Sequence, residues 1–413
     1  MIKKYKNNSS FDIITGIKLI YLISIIDLIG ELVSINLPLL RYMLVTLGSL
    51  FVLKGIFSKP NYVHLIHYFN KWKFLLFFIW TIVMIVRGLP TAFSDYNNYI
   101  DFKRLISGQL LWFLIPFFIF YKPNLVLLKQ LIKFAYNLAL IYLFITIPLL
   151  YYFLTGKLPG ESFGVLFAAG ASIIVLTFSY HSRNVQYITL FTFLLVLFIN
   201  AVLARRNQIV YFGSILFFSL FIQFFSSSRF VKYSRNNLIK ILFIISIPIS
   251  LLVAANINRF DLLLEKSQTG MESRDEPIKD FFADFSEHPN DWIFGRGING
   301  RVQGGKLANR DDGTRSLIEN GYLQHILVGG WIYLGLIILI ALPAIYLGCF
   351  RSRNVLSKAF AAIILTYFID MVGFGLPSNT IKFVLIWIGI GFCYSARIRN
   401  YPDEYLKSKI GIN

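Results

Sequence analysis

The sequence predicts an all-α polytopic membrane protein, and three observations carry that prediction. Of its 413 residues, 56% are hydrophobic, 17% aromatic and only 15% charged, whereas a soluble domain carries roughly 25% charged residues. Mean hydropathy is +0.64. The apolar residues also gather in runs of about 20, the length at which a helix crosses a hydrocarbon core while satisfying its own backbone.

Taken in order, about twelve such runs are expected to span: 12–30, 36–56, 73–89, 104–121, 132–154, 163–180, 185–203, 208–227, 238–256, 321–349, 358–375 and 381–397. The first follows the basic stretch "MIKKYKNNSS" and has no small-residue cleavage site, so it reads as an uncleaved span. Run 163–180 contains "AAGAS", small side chains that suit close helix packing in lipid. The expected organisation is a nine-span bundle over 1–256, one large loop over 257–318, and three spans with a tail over 319–413. Cys349 and Cys393 both lie in apolar runs, which excludes a disulfide or zinc framework. No internal repeat is evident.

The net charge of +19 is spread over short loops between apolar runs, which is a topology signal and not a nucleic-acid-binding face. One alternate set of loops and ends, beginning with Lys3 and finishing with Lys409, holds 22 Lys and Arg. The short loops of the other set hold only Lys157, Arg205 and Arg206. The positive-inside rule then puts both termini in the cytoplasm and the loop 257–318 outside.

Arg205 and Arg206 thereby face outward, against the rule. Arg41, Arg87, Lys103 and Arg104 fall at outer span ends as well. Each would cost about 2.5–3.5 kcal/mol if drawn to a helix centre. Snorkelling to head groups accounts for any one of them; several on one face point to a shared anionic ligand. Arginine suits phosphate because its planar fork donates two parallel charge-assisted hydrogen bonds.

The large loop carries 11 of the chain's 21 acidic residues and nine basic ones, the composition of a polar folded module. Within "SRDEPIKDFFADFSEHPND", Pro277 after Asp275 and Glu276 marks a helix start. Ile278, Phe281, Phe282 and Phe285 form one apolar stripe, and His288-Pro289-Asn290 ends the helix. Arg274 stands just before its N-terminus, where a helix attracts anions. In "WIFGRGINGR", Gly295, Gly297 and Gly300 match GxGxxG, but no βαβ unit surrounds them, so a dinucleotide site is excluded. The expectation is a tight turn bringing backbone N–H groups, Arg296 and Arg301 near an anion. "SLIENGYLQHILVGGWIYLG" then puts Glu319 and Asn320 at the mouth of the tenth span. His325 lies about one and a half turns deeper, with Gly329-Gly330 permitting close helix contact.

In these motifs the chain resembles the O-antigen ligase/polymerase superfamily, whose members include Wzy-type polysaccharide polymerases and WaaL-like ligases. The residues that carry the resemblance are Arg274, "HPNDWIFGRG" (288–297), "ENGYLQHILVGG" (319–330) and "AVLARRNQIV" (201–210). It implies a GT-C-like glycosyltransferase, metal-independent and without a cofactor, in a bacterial cytoplasmic (inner) membrane with its site facing the periplasm or exterior. Lipid-linked oligosaccharide on undecaprenyl pyrophosphate would be both donor and acceptor, in surface polysaccharide or lipopolysaccharide biosynthesis, with a chain-length regulator as partner. Arg205 or Arg206 with Arg274 would bind the pyrophosphate, helped by Arg296 and Arg87. Gly295, Gly297, Asn320 and Tyr322 belong to the loop motif. Ligases commonly carry a histidine where this chain has Glu319, which leaves polymerase ahead of ligase. Transfer needs cations for the leaving pyrophosphate and a base for the acceptor hydroxyl. Glu319 is the first candidate base, His325 the second, and Arg274 completes the catalytic set. A flippase is the alternative of another class; its candidates Lys18, Asp27 and Asp370 lie toward span ends.

Overall fold

The computed structural model describes residues 2–33, 38–58, 71–93, 114–120, 123–225, 275–304, 313–373 and 380–412. They form α1 (Ile2–Val33), α2 (Pro38–Ile56), α3 (Trp72–Phe93), α4 (Leu125–Thr146), α5 (Arg183–Val202) and α6 (Arg206–Phe224). The loop module adds α7 (Asp275–Glu287) and α8 (Pro289–Phe294). Three long helices, one short turn and a terminal helix complete the order: α9 (Gly321–Phe350), α10 (Val355–Gly373), α11 (Ile381–Tyr394), α12 (Ala396–Arg399) and α13 (Asp403–Ile410). The fold is helical, as the composition predicts. Among the described residues seven helices are long and apolar enough to cross a membrane, and Tyr42–Ile56, Gly160–Leu176 and Ile381–Tyr394 are shorter apolar helices. The expected span 238–256 and most of 104–121 lie outside the described residues; Ile115–Phe120 is a 3-10 helix.

Several spans depart from single straight helices, each for a local reason. The fifth begins at Leu125, not 132, because the Asn124 side chain caps it by accepting from Val126 N–H at 2.9 Å. It stops at Thr146, ahead of Pro148, which has no N–H to continue the ladder; one further turn, Leu150–Leu154, follows. The run 163–180 is broken into an α-turn at Gly160–Phe163, a π-turn at Gly164–Ala168, a 3-10 turn at Ala169–Ala171, a short helix Ser172–Leu176 and a last 3-10 turn. Its "AAGA" portion is buried, against Ala135 and Ile381.

The core centres on α10, on which α6, α9 and α11 all pack. Large apolar side chains also point outward: Phe144, Phe217, Trp331 and Phe350 are all more than half exposed, as expected of a surface solvated by lipid chains.

Two ends of the bundle can be told apart by their polar contacts. At one, Lys54 pairs with Asp12 (3.3 Å) and Lys73 donates to Tyr394 (2.6 Å). There α13 is tied down: Tyr180 donates to Asp403, which also accepts from Val355 N–H at 2.8 Å, and Ser182 N–H donates to the Ile412 carbonyl at 2.9 Å. His181 is buried at this junction, and its Nδ1 accepts from Ile412 N–H at 3.3 Å. Burial, with Lys407 nearby, pushes its pKa down to about 3. The other end carries the loop module and the candidate site.

Candidate functional site

The loop module is built on α7. Phe281 and Phe285, four residues apart, are buried and stack with ring centroids 4.1 Å apart; Trp292 of α8 packs edge-on against both. Phe282, rotated about 100° from Phe281 around the helix, stays about half exposed, so the apolar stripe is narrower than the sequence suggests. A two-stranded hairpin, β1 (Val302–Gln303) with β2 (Thr314–Arg315), closes the module; no sequence signal anticipates it.

The segment after α8 docks into a broken span. Helix α9 is interrupted at Gly330, where φ is 68° and ψ −174°, a region accessible essentially only to glycine. The interruption leaves carbonyls that need donors from elsewhere. Arg296 N–H donates to Leu327 O at 2.7 Å, Gly297 N–H to Val328 O at 2.9 Å, and the Trp80 indole to Gly329 O at 2.8 Å. Ile298 N–H extends the plug to Met84 O of α3 at 3.1 Å.

This corrects the reading of "GRGING" as an anion turn. The N–H groups of Arg296, Gly297, Ile298 and Gly300 are all given to backbone carbonyls. The glycines serve the fit. Gly295 has φ 64°, and a Cβ there would lie 2.5 Å from Gly329 N; Gly297 has φ 82°, and a Cβ would lie 3.0 Å from the Arg87 backbone. Gly329-Gly330 is likewise a chain break that receives a loop, more than a helix-contact surface.

Arg296 is committed inside the module as well. Its guanidinium makes a fork to Asp284 (2.7 and 2.8 Å) and further bonds to Asp291 (2.7 Å) and the Arg301 carbonyl (2.6 Å). Burial alone would push the Asp284 carboxyl up; the Arg296 guanidinium and the Gln303 N–H outweigh it and hold the group below the usual carboxylate range. Arg296 is a clamp between α7, α8 and β1, not an open anion donor. Arg87 is exposed and caps the C-terminal end of α8, donating to Phe294 O at 2.8 Å.

The arginine motif and the Glu319-Asn320 mouth meet at the C-terminal end of α10. Helix α5 turns into α6 through Ala204, whose φ of 55° is rare for a residue with a side chain. Arg205 stands at the N-cap position of α6, is exposed, and pairs with Glu161 at 3.4 Å; Arg206 is partly buried. The next residues turn inward: Asn207 and Gln208 are buried, and Asn207 packs against Gly373. From the other side, Asn320 caps α9 by accepting from Leu323 N–H at 3.1 Å and donates to Val372 O at 3.2 Å. Tyr322 donates to Phe368 O at 2.8 Å. Glu319 is partly buried beside them. Helix α11 begins here too, so the N-termini of α6, α9 and α11 gather around the end of α10.

Beneath this junction lie buried ionisable groups. His325 is fully buried, with Nδ1 2.6 Å from Gly321 O and Nε2 3.1 Å from the Tyr367 hydroxyl. Asp370 and Lys382 form an ion pair at 2.5 Å, both buried. Lys382 drew no attention in the sequence, although a lone cation in an apolar run was a visible signal. Arg274, Lys103 and Arg104 lie outside the described residues. Among the described residues no group of His, Cys, Asp and Glu is placed to hold a metal ion.

Compared with known proteins, no family model, no curated protein and no solved structure matches this chain.

Proposed function

We propose that this protein is a glycosyltransferase of the polymerase type, joining lipid-linked oligosaccharide repeats at the outer leaflet of a bacterial cytoplasmic membrane. The reading rests on the resemblance of its motifs. One structural observation supports it above the rest: two motifs more than 100 residues apart in sequence, Arg205-Arg206 and Glu319-Asn320, come to the same end of α10. Cations and helix N-termini together make that end attractive to a pyrophosphate.

In the proposed reaction the bond between the donor sugar's anomeric carbon and the pyrophosphate oxygen breaks. The acceptor hydroxyl oxygen bonds to that carbon, and its proton passes to Glu319. The departing charge is met by Arg206 and Arg274, with Arg205 and Arg87 at the rim. Arg296 and the glycine turn act by holding the loop against α9. Undecaprenyl pyrophosphate leaves.

The test is reconstitution of the purified chain with defined undecaprenyl-pyrophosphate repeats, scored for a ladder of products. The ladder is expected to vanish in Arg206→Ala and Arg274→Ala, with Arg→Lys rescuing poorly because lysine has no bidentate fork. Transfer of preformed glycan to lipid A core without any ladder would instead favour ligase. The buried Asp370–Lys382 pair favours transport as a second reading, since intramembrane charges mark ion and substrate paths; a ladder formed with no second compartment refutes it.

A further inference from the structure

The Asp370–Lys382 pair, which joins the last turn of α10 to the first turn of α11, is disfavoured in two ways. Both side chains are removed from water, at 1% and 6% exposure, and desolvation of a buried pair can exceed its Coulombic gain. The carboxylate is also only half satisfied: Oδ2 takes Lys382, whereas Oδ1 is buried with no hydrogen-bond partner among the described residues. A pair kept for stability alone would be better replaced by packed apolar residues.

The unsatisfied atom has company of one chemical kind. Thr366 is one turn earlier on the same face of α10, fully buried, and its Oγ1 has no hydrogen-bond partner among the described residues. On the facing helix α6, Gln208 is 3% exposed, and its Oε1 is likewise unpartnered. Gln208 precedes by one turn Tyr211, whose ring lies 4.0 Å below the Lys382 ammonium. The charged and titratable groups around the carboxylate are Lys382 from α11, Tyr211 from α6 and Tyr367 on α10 itself, with His325 of α9 bonded behind Tyr367. Carboxylate, hydroxyl and amide oxygens are the ligands of a hard monovalent cation.

We propose that Asp370 is a cation-exchange site: Lys382 is its resident cation, and a sodium ion takes its place on the carboxylate, with Thr366 and Gln208 supplying the further oxygens. Loading neutralises Asp370 and releases the ammonium, which remains over the Tyr211 ring face. The released charge lies about a turn and a half along α6 from Arg206, so loading makes that end of the bundle more attractive to anions. This inference does not depend on the glycosyl-transfer reading.

The experiment uses the purified full chain in detergent or nanodiscs. Melting temperature is measured against sodium chloride with choline chloride as the ionic-strength control. A saturable sodium-specific rise in melting temperature, lost in Asp370→Asn, identifies sodium as the exchanging ion. Should Asp370→Asn not fold, Thr366→Val decides, because it leaves the ion pair intact: a several-fold weaker sodium response supports the site. A wild-type protein indifferent to sodium over choline overturns the proposal, as does a Thr366→Val response equal to wild type.

Discussion

Replacing Gly330 with alanine asks whether the break in α9 is required. At φ 68° and ψ −174° an alanine is strained, and its Cβ would overlap the Ile293 carbonyl and lie 2.6 Å from Phe294 N, so α8 must move or α9 must straighten. Sparsely populated backbone costs about 1–3 kcal/mol and an overpacked buried site about 1–3 kcal/mol more, roughly 2–6 kcal/mol together. If α9 straightens, its Leu327 and Val328 carbonyls are taken up by the helical ladder, and the Arg296 and Gly297 N–H groups lose their acceptors. The loop module should then come off the bundle. Thermal unfolding in detergent measures the loss of stability, and limited proteolysis within 275–304 measures the release. Gly335 is the internal control: it lies in the same helix, and an alanine methyl there would have nothing within 4 Å, so Gly335→Ala should be neutral or gain up to about 1 kcal/mol. If Gly330→Ala melts and resists protease like Gly335→Ala, the docking argument is wrong.

Arg296→Ala should expose the loop to protease and cost on the order of 3 kcal/mol, because it leaves the buried Asp284 carboxylate without its fork; unchanged stability would show that the clamp is not needed. Asn320→Ala should cost about 1 kcal/mol through the lost helix cap, and Asn320→Ser should recover part of it, since the serine oxygen can still accept from the first turn while the bond to Val372 O stays lost. His181 gives a pH signature. Its folded pKa of about 3 lies below the unfolded 6.5, so the unfolded chain binds the extra proton between them. The His181 contribution is therefore full above 6.5 and falls by about 1.4 kcal/mol per pH unit on acidification toward 3. His181→Gln should flatten that slope in a melting series from neutral to acidic pH; a slope equal to wild type refutes the assignment. The Asp284 contribution is present above the unfolded carboxyl value of 3.8 and is lost as pH falls below it, through the lowered folded pKa.

Much of the fold and part of the candidate site could be read from the chain. Apolar run length identified the seven long helices found among the described residues, because a helix in lipid must satisfy its backbone within its own segment. The start of α7 at Asp275 followed from Pro277 and the preceding acids, and Asn320 at a span mouth proved to be a cap. These are local effects, set by residues within one or two turns. What escaped depended on partners distant in sequence. Gly329-Gly330 read as a packing surface because nothing nearby says that residues 296 and 297 will supply its donors. Arg296 read as an anion ligand because its partner Asp284 is twelve residues away, reachable only once α7 and α8 have folded back. Lys382 looked incidental until α10 and α11 brought Asp370 within 2.5 Å of it. Composition and periodicity determined which segments are helices and where charges cluster. Tertiary packing alone decided which of those charges are spent on one another and which stay open to a ligand, because a buried donor or acceptor takes its meaning from the group opposite it.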